Sequence, residues 1–258
     1  MPNPSTPPTR IVITGASSGI GEALALAYAE PGVALFLSGR DAARLEAVAE
    51  RCRGAGATVR ADTVDVTDRA RMAGWIGDIG GAGGLDLVVA NAGISGGSGG
   101  IGGEDEEQVR DIFAVNLAGV LNTVLPVLPV MQRQGGGQIA IMSSLAGFRG
   151  LPSAPAYAAS KAAVLAYGDA LRVEQADRGI GVSVICPGFV VSRITDANDF
   201  PMPFLMEAGK AAQIIKRGLA KGRRRIAFPW PMRLAVWLLA ALPVALTDPV
   251  LARSPRKG

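Results

Sequence analysis

The chain has 258 residues, 49% of them hydrophobic and 19% charged, so it can bury a sizeable core and only its ends are candidates for disorder. It has no histidine and two cysteines, Cys52 and Cys186; this excludes Ser-His-Asp and Cys-His nucleophile systems, histidine bases, the common zinc sites and a disulfide framework, and suits a reducing, intracellular setting. The net charge of +4 is uneven: residues 1–207 hold 15 basic and 21 acidic side chains, whereas residues 208–258 hold 11 basic ones and the single acid Asp248.

Residues 1–9 contain four prolines and no apolar run, which predicts a flexible arm rather than a secretory signal. From residue 10, short β-rich runs (11–14, 33–38, 58–64, 85–91, 138–144, 181–186) alternate with helix-length stretches (19–30, 42–53, 67–78, 108–133, 156–178). Strands that are apolar on both faces and separated by helices predict one α/β domain, a doubly wound parallel sheet with helices on both faces, over residues 10–228. Two stretches break the rhythm. Residues 93–103 hold seven glycines and two serines, a flexible surface loop; residues 195–209 are irregular but apolar, the pattern of a lid or pocket wall.

The first strand runs into Thr14-Gly-Ala-Ser-Ser-Gly-Ile-Gly21. Glycines at 15, 19 and 21 permit a tight turn and close backbone approach to a phosphate, and the following helix offers its positive dipole end to the same anion. The same glycine spacing recurs from Gly77, Gly93 and Gly96, so context decides: only the run at Gly15 lies between a β-branched strand and an Ala/Leu helix. The second strand ends Leu37-Ser-Gly-Arg40. Gly39 leaves no carboxylate to repel a 2′-phosphate and Arg40 offers a planar fork to bind one, which favours NADP, with NAD the alternative; the neighbouring Asp41 weighs against this.

Tyr157-Ala-Ala-Ser-Lys161 falls in a helical stretch, where four-residue spacing puts both side chains on one face. An ammonium beside a phenol favours the phenolate, so the tyrosine pKa is expected below its usual value near 10, ready to trade a proton with an alcohol or carbonyl.

These motifs, with Asn91-Ala-Gly93, Asn116, Ser143-Ser144 and Pro187-Gly188, stand in the order of the short-chain dehydrogenase/reductase family, which the chain resembles over about residues 10–228. The resemblance implies a Rossmann-like fold and an NADP(H)-dependent oxidoreductase moving a hydride between nicotinamide and a carbonyl or alcohol. Tyr157 is implied as general acid/base, Lys161 as the holder of the nicotinamide ribose, Ser144 (in preference to Ser143) as the partner of the substrate oxygen, and Asn116 as the holder of a water behind Lys161. The cofactor residues implied are Gly15, Ser17, Ser18, Gly19, Ile20, Gly21, Arg40, Asp65, Val66, Asn91, Ala92, Gly93, Tyr157, Lys161, Pro187, Gly188, Val190 and Ser192. None of this chemistry requires a metal. Phe148, Phe189, Phe200, Phe204 and Met206 are expected pocket linings for an apolar substrate.

Residues 229–258 form a basic, apolar extension. Arg223-Arg-Arg225 is followed by Trp230 and Trp237 and by an uncharged run over 234–247, fourteen residues interrupted by Pro243. As a helix it would rise roughly 21 Å, short of the roughly 30 Å of a bilayer core. It is read as a membrane-surface contact over 230–251, a subunit contact, a wall of the pocket, or an ordinary packed C-terminal helix. The arginine run lacks a nucleic-acid readout motif, so no nucleic acid is expected. The expected setting is cytoplasmic, peripheral to the inner face of a membrane if the tail binds lipid, and the resemblance implies a homo-oligomer. The alternatives are a membrane-associated lipid or sterol reductase and a non-catalytic NADP(H)-binding regulator.

Overall fold

A computed structural model describes residues 7–95, 104–150, 152, 154–196 and 201–252. The strands are β1 (Arg10–Thr14), β2 (Ala34–Gly39), β3 (Thr58–Thr63), β4 (Leu87–Ala90), β5 (Gly137–Met142), β6 (Ile180–Pro187) and β7 (Arg225–Phe228). They form one sheet, every pair parallel, in the order β3-β2-β1-β4-β5-β6-β7. The strand order reverses between β1 and β4, and at such a switch point the loops leaving the two strands diverge and open a crevice at their carboxyl ends.

Alternation along each strand sends side chains to two separate cores. Ile11 and Ile13 of β1 join Leu35 and Leu37 of β2 on the face covered by α1 (Gly19–Tyr28), α2 (Ala42–Gly54) and, further along the sheet, α8 (Ala208–Ala220). Val12, Val88, Ile139 and Ile141 point the other way, against α3 (Arg69–Gly81), α5 (Gly119–Gln134) and α6 (Pro155–Glu174). This double burial is why the central strands read as unbroken apolar runs.

Two elements differ from the sequence expectation. The helix expected over 108–133 is α4 (Glu106–Phe113) and α5 joined by a π-helical turn, Ala114–Ala118, which carries Asn116. Its run Glu106–Gln134 is long and apolar enough to cross a membrane by composition, but α5 is apolar because it packs on α3 and the sheet. A seventh strand, β7, was not expected. Its Arg-Ile-Ala-Phe run is short, and only Ile226 and Phe228 are fully buried.

Beyond β7 the chain forms α9 (Trp230–Ala241) and α10 (Val244–Ala252); α7 (Arg193–Asp196) is a single turn after β6. Met232 and Val236 of α9 pack against Leu145, Val184 and Cys186. The α10 helix is held by Arg149, whose guanidinium donates to Thr247 Oγ1 (2.9 Å) and Asp248 Oδ1 (2.8 Å).

Candidate active site

Every candidate site residue lies at the carboxyl ends of β1, β2, β3, β4, β5 and β6 or on the helical segments bearing on them. The loop from β1 to α1 turns through Gly15 (φ +65°) and Gly19 (φ +58°), left-handed positions that favour glycine. A Cβ on Gly21 would lie 2.2 Å from the Gly15 carbonyl oxygen, so the first turn of α1 packs directly on the loop. Thr14 and Asn91 lock β1 to β4. Asn91 N and Ala92 N donate to Thr14 Oγ1 (3.1 and 3.2 Å), and Asn91 Nδ2 donates to the carbonyls of Thr14 (2.9 Å) and Gly15 (3.2 Å).

The N-terminus of α1 lacks a side-chain cap. Asp41, Asp68 and Asp105 cap α2, α3 and α4 by accepting from backbone N–H groups, whereas Ser18 makes no side-chain cap bond to α1. Ser17, Ser18, Gly19 and Ile20 are half-buried, so this uncapped, positively polarised end faces the crevice, as binding a pyrophosphate requires. The residues present therefore fit a dinucleotide.

The flanks of the crevice follow in order. Ser17 touches the place where a Cβ on Gly39 would be, at 3.1 Å, and Arg40 beside it is exposed. Asp41, the residue expected to weigh against a 2′-phosphate, is committed elsewhere: it caps α2 through Arg44 N (3.0 Å) and pairs with the Arg44 guanidinium (2.7 Å). Asp65 accepts from Thr67 N (2.9 Å) and Oγ1 (2.8 Å), and the Val66 carbonyl accepts from Asn122 Nδ2 (2.9 Å). On the far side, Ser192 Cβ would stand 3.0 Å from a Cβ on Gly19, closing the crevice over the glycine loop. Ser192 N donates to Thr195 Oγ1 (2.8 Å), Val190 bridges to Met206, and Gly188 N donates to the Phe228 carbonyl (2.7 Å).

Ser144, Tyr157, Lys161 and Asn116 converge at the floor. Ser143 and Ser144 leave β5 on opposite errands: Ser143 Oγ donates to the Lys161 carbonyl (2.8 Å), while Ser144 Oγ accepts from Ala146 N (3.1 Å), lies 3.4 Å from the Pro187 carbonyl and bears on the Tyr157 phenol. Lys161 is buried; its Nζ donates to the Met142 carbonyl (3.0 Å) and lies 5.7 Å from the Tyr157 ring centroid. Asn116, wholly buried, is held by the Ile94 backbone, accepting from its N–H and donating to its carbonyl (2.8 Å each), and donates to Ser160 Oγ (3.1 Å). Gly93 fits between these groups, since a Cβ there would lie 3.2 Å from Asn116 Oδ1 and 3.3 Å from Lys161 Nζ.

The electrostatics correct one expectation. Burial pushes the Tyr157 phenol above its usual pKa, and it is the Ser144 hydroxyl that draws it back down. The expected lowering by Lys161 is not seen: the ammonium is tied to the Met142 carbonyl and is itself desolvated, which brings Lys161 down from 10.5 to about 8, with Cys186 opposing.

Two contributors were not read from the sequence. Ser160 Oγ donates to the Tyr157 carbonyl (2.8 Å) while accepting from Asn116, tying the π-turn to α6. Glu104 caps α6 from a distant segment: its carboxylate accepts from Ala156 N (2.7 Å) and Tyr157 N (3.4 Å), where the helix's own cap residue, Ala154, has no acceptor. The signal was Ala154-Pro155 at the helix start, which calls for an outside acceptor without saying which.

The expected pocket linings are brought together only in part. Met206 N donates to the Phe189 carbonyl (3.0 Å) beside β6, but Phe148 lies under the Arg225 guanidinium (5.3 Å) and Phe204 points outward, 59% exposed. Phe200 and residues 96–103 lie outside the described residues.

Comparison with known proteins agrees with this fold. The profile of the family described as short chain dehydrogenase matches residues 9–200. A protein of Myxococcus xanthus named as an uncharacterized oxidoreductase is 41% identical over 94% of this chain and 96% of its own length. An 11-beta-hydroxysteroid dehydrogenase-like protein of Arabidopsis thaliana (4A) is 33% identical over 92% of this chain and 81% of its own. Among solved structures, a short chain dehydrogenase/reductase from Burkholderia phymatum in complex with NAD superposes with a TM-score of 0.81 at 27% identity, covering 98% of each chain.

An all-parallel sheet with its switch-point crevice, floored by a serine–tyrosine–lysine group, defines a nucleotide-binding oxidoreductase. The chain belongs to the short-chain dehydrogenase/reductase family and is a dehydrogenase/reductase enzyme.

Proposed function

We propose that the protein is an NADP(H)-dependent reductase of a carbonyl on an apolar small molecule, working reversibly as an alcohol dehydrogenase. The observation that carries this reading is the convergence of the Ser144 hydroxyl and the Tyr157 phenol beside buried Lys161 at the floor of the crevice.

The cofactor cleft would be made by Gly15, Ser17, Ser18, Gly19, Ile20 and Gly21 at the pyrophosphate and by Arg40 at the 2′-phosphate. Asp65 and Val66 would flank the adenine. Asn91, Ala92 and Gly93 would lie beneath the cofactor, and Pro187, Gly188, Val190 and Ser192 along the nicotinamide. When bound, the nicotinamide supplies or accepts the hydride. The Ser144 hydroxyl donates to the substrate oxygen and stabilises the charge that grows there as the carbonyl is reduced. Tyr157 gives its phenolic proton to that oxygen, so one hydride and one proton convert C=O to CH–OH; in oxidation the phenolate takes the proton back. Lys161 binds the ribose and supplies positive charge, and Asn116, fixed by Ile94 and Ser160, orients the polar chain behind it.

The preference for NADP rests on Arg40 being exposed beside Ser17 and Gly39, with the nearest carboxylate turned into α2. We place the enzyme in the cytoplasm as a homo-oligomer, with residues 230–251 meeting the inner face of a membrane. The exposed apolar residues of α9 and the name of the Arabidopsis thaliana relative favour a lipid- or sterol-like substrate as a second reading. Fluorescence titration of the purified protein with NADPH and NADH tests the cofactor assignment. Tight binding with at least about tenfold preference for NADPH is expected from one charge-assisted phosphate contact; a preference for NADH overturns the role of Arg40, and binding of neither overturns the dinucleotide reading.

A further inference from the structure

Helix α9 has an inner and an outer side. Met232 and Val236 face the protein, but no residue of the helix is fully buried. Outward lie Trp230 (72% exposed), Leu234, Trp237 (56% exposed) and Leu238, at the spacing that puts them on one face, and the elbow into α10 adds exposed Leu242 and Leu246. A contiguous patch of this kind, with two tryptophans, marks a surface that is covered in use.

Charge says by what. Arg233 is exposed on the same face, within one turn of Trp230 and Trp237. In the sequence Arg223-Arg-Arg225, of which Arg225 is ion-paired with Asp169, precedes the patch, and Arg253, Arg256 and Lys257 follow it. The single acid after residue 207, Asp248, is ion-paired with Arg149 (2.8 Å). A second copy of the chain would set this basic surface against itself across an isologous interface, where like charges oppose association. The helix of 12 residues is too short to span a bilayer but suits the headgroup boundary, where tryptophan rings settle and arginine meets lipid phosphate.

We infer that the outer face of α9, with the α9–α10 elbow, docks on the surface of an anionic phospholipid membrane. This deepens the membrane contact proposed above and rests on that contact alone, not on the hydride-transfer reading.

The test is co-sedimentation of the full chain with vesicles of phosphatidylcholine, with and without phosphatidylglycerol, alongside tryptophan fluorescence. Trp75 is buried, so a blue shift on vesicle addition reports Trp230 and Trp237. Binding to the anionic vesicles alone, weakened by salt, is expected. Arg233→Glu should weaken it about thirtyfold, at about fivefold per unit charge, and the double substitution Trp237→Ser, Leu238→Ser should abolish it. NADPH-dependent reduction of a water-soluble ketone, measured in parallel, should be unchanged in both variants. Absence of vesicle binding, or equal binding to both lipid compositions, overturns the proposal. So does an oligomer that Trp237→Ser, Leu238→Ser dissociates, because a second copy then occupies the face. Loss of turnover in the wild type with vesicle binding intact would count against the catalytic reading and leave docking standing.

Discussion

Lys161→Met separates the cost of the site from the stability of the fold. The Lys161 ammonium is buried and donates to the Met142 carbonyl, and its pKa falls from 10.5 to about 8. At 1.36 kcal/mol per decade, that shift means that holding the ammonium charged in the folded state costs about 3 kcal/mol at pH 7. Methionine nearly fills the same volume, so little cavity forms, but the Met142 carbonyl loses its donor, which costs about 1–2 kcal/mol. The variant should therefore be more stable than the wild type at pH 7 by about 1–2 kcal/mol, a rise in Tm of roughly 2–6 °C for a chain of this size. The sign changes with pH. Between about 8 and 10.5 the folded wild type releases this proton while the unfolded chain keeps it, so wild-type stability rises and the advantage of the variant shrinks and reverses. Urea denaturation of both proteins at pH 7 and pH 10, with turnover measured alongside, checks this. A variant several kcal/mol less stable at pH 7, or a difference that does not change with pH, would refute the reasoning.

Three further outcomes follow from the geometry. Ser144→Ala removes the hydroxyl that lowers the Tyr157 pKa, so the pH at which alcohol oxidation rises should move upward, and reduction should slow about 100-fold from the lost oxyanion donor; pH–rate profiles decide it. Arg40→Ser should weaken NADPH binding about tenfold and leave NADH binding unchanged, as read by cofactor fluorescence. Glu104→Ala removes the cap of α6 and should cost about 1 kcal/mol of stability and lower kcat more than it changes KM, whereas Glu104→Gln, which keeps the acceptor, should restore most of both.

The order of elements was legible because the central strands are buried on both faces and read as apolar runs, and because glycine spacing at Gly15 falls between a strand and a helix. The placing of Tyr157 and Lys161 on one helix was legible because helix periodicity is a local property, whereas Ser144 was reached only through the family resemblance. What escaped depended on contacts distant in sequence. The tyrosine pKa turns on burial and on where the Lys161 ammonium is tied, and the latter rests on Met142, a backbone carbonyl with no signature. Glu104 acts on a helix 52 residues away, and β7 is held chiefly by pairing with β6 through Val184, Ile185, Cys186 and Pro187. The apolar tail was seen as a feature with several readings; only the packing of Met232 and Val236 showed which side faces outward.

The central claim is that Tyr157 transfers the proton that accompanies hydride transfer. It is tested by following NADPH oxidation with a panel of apolar carbonyl substrates for the wild type and Tyr157→Phe, with NADPH affinity measured on both. The account predicts turnover by the wild type, a loss of about 100- to 10,000-fold in the variant and nearly unchanged NADPH affinity. Turnover by Tyr157→Phe at a rate close to the wild type's would contradict it.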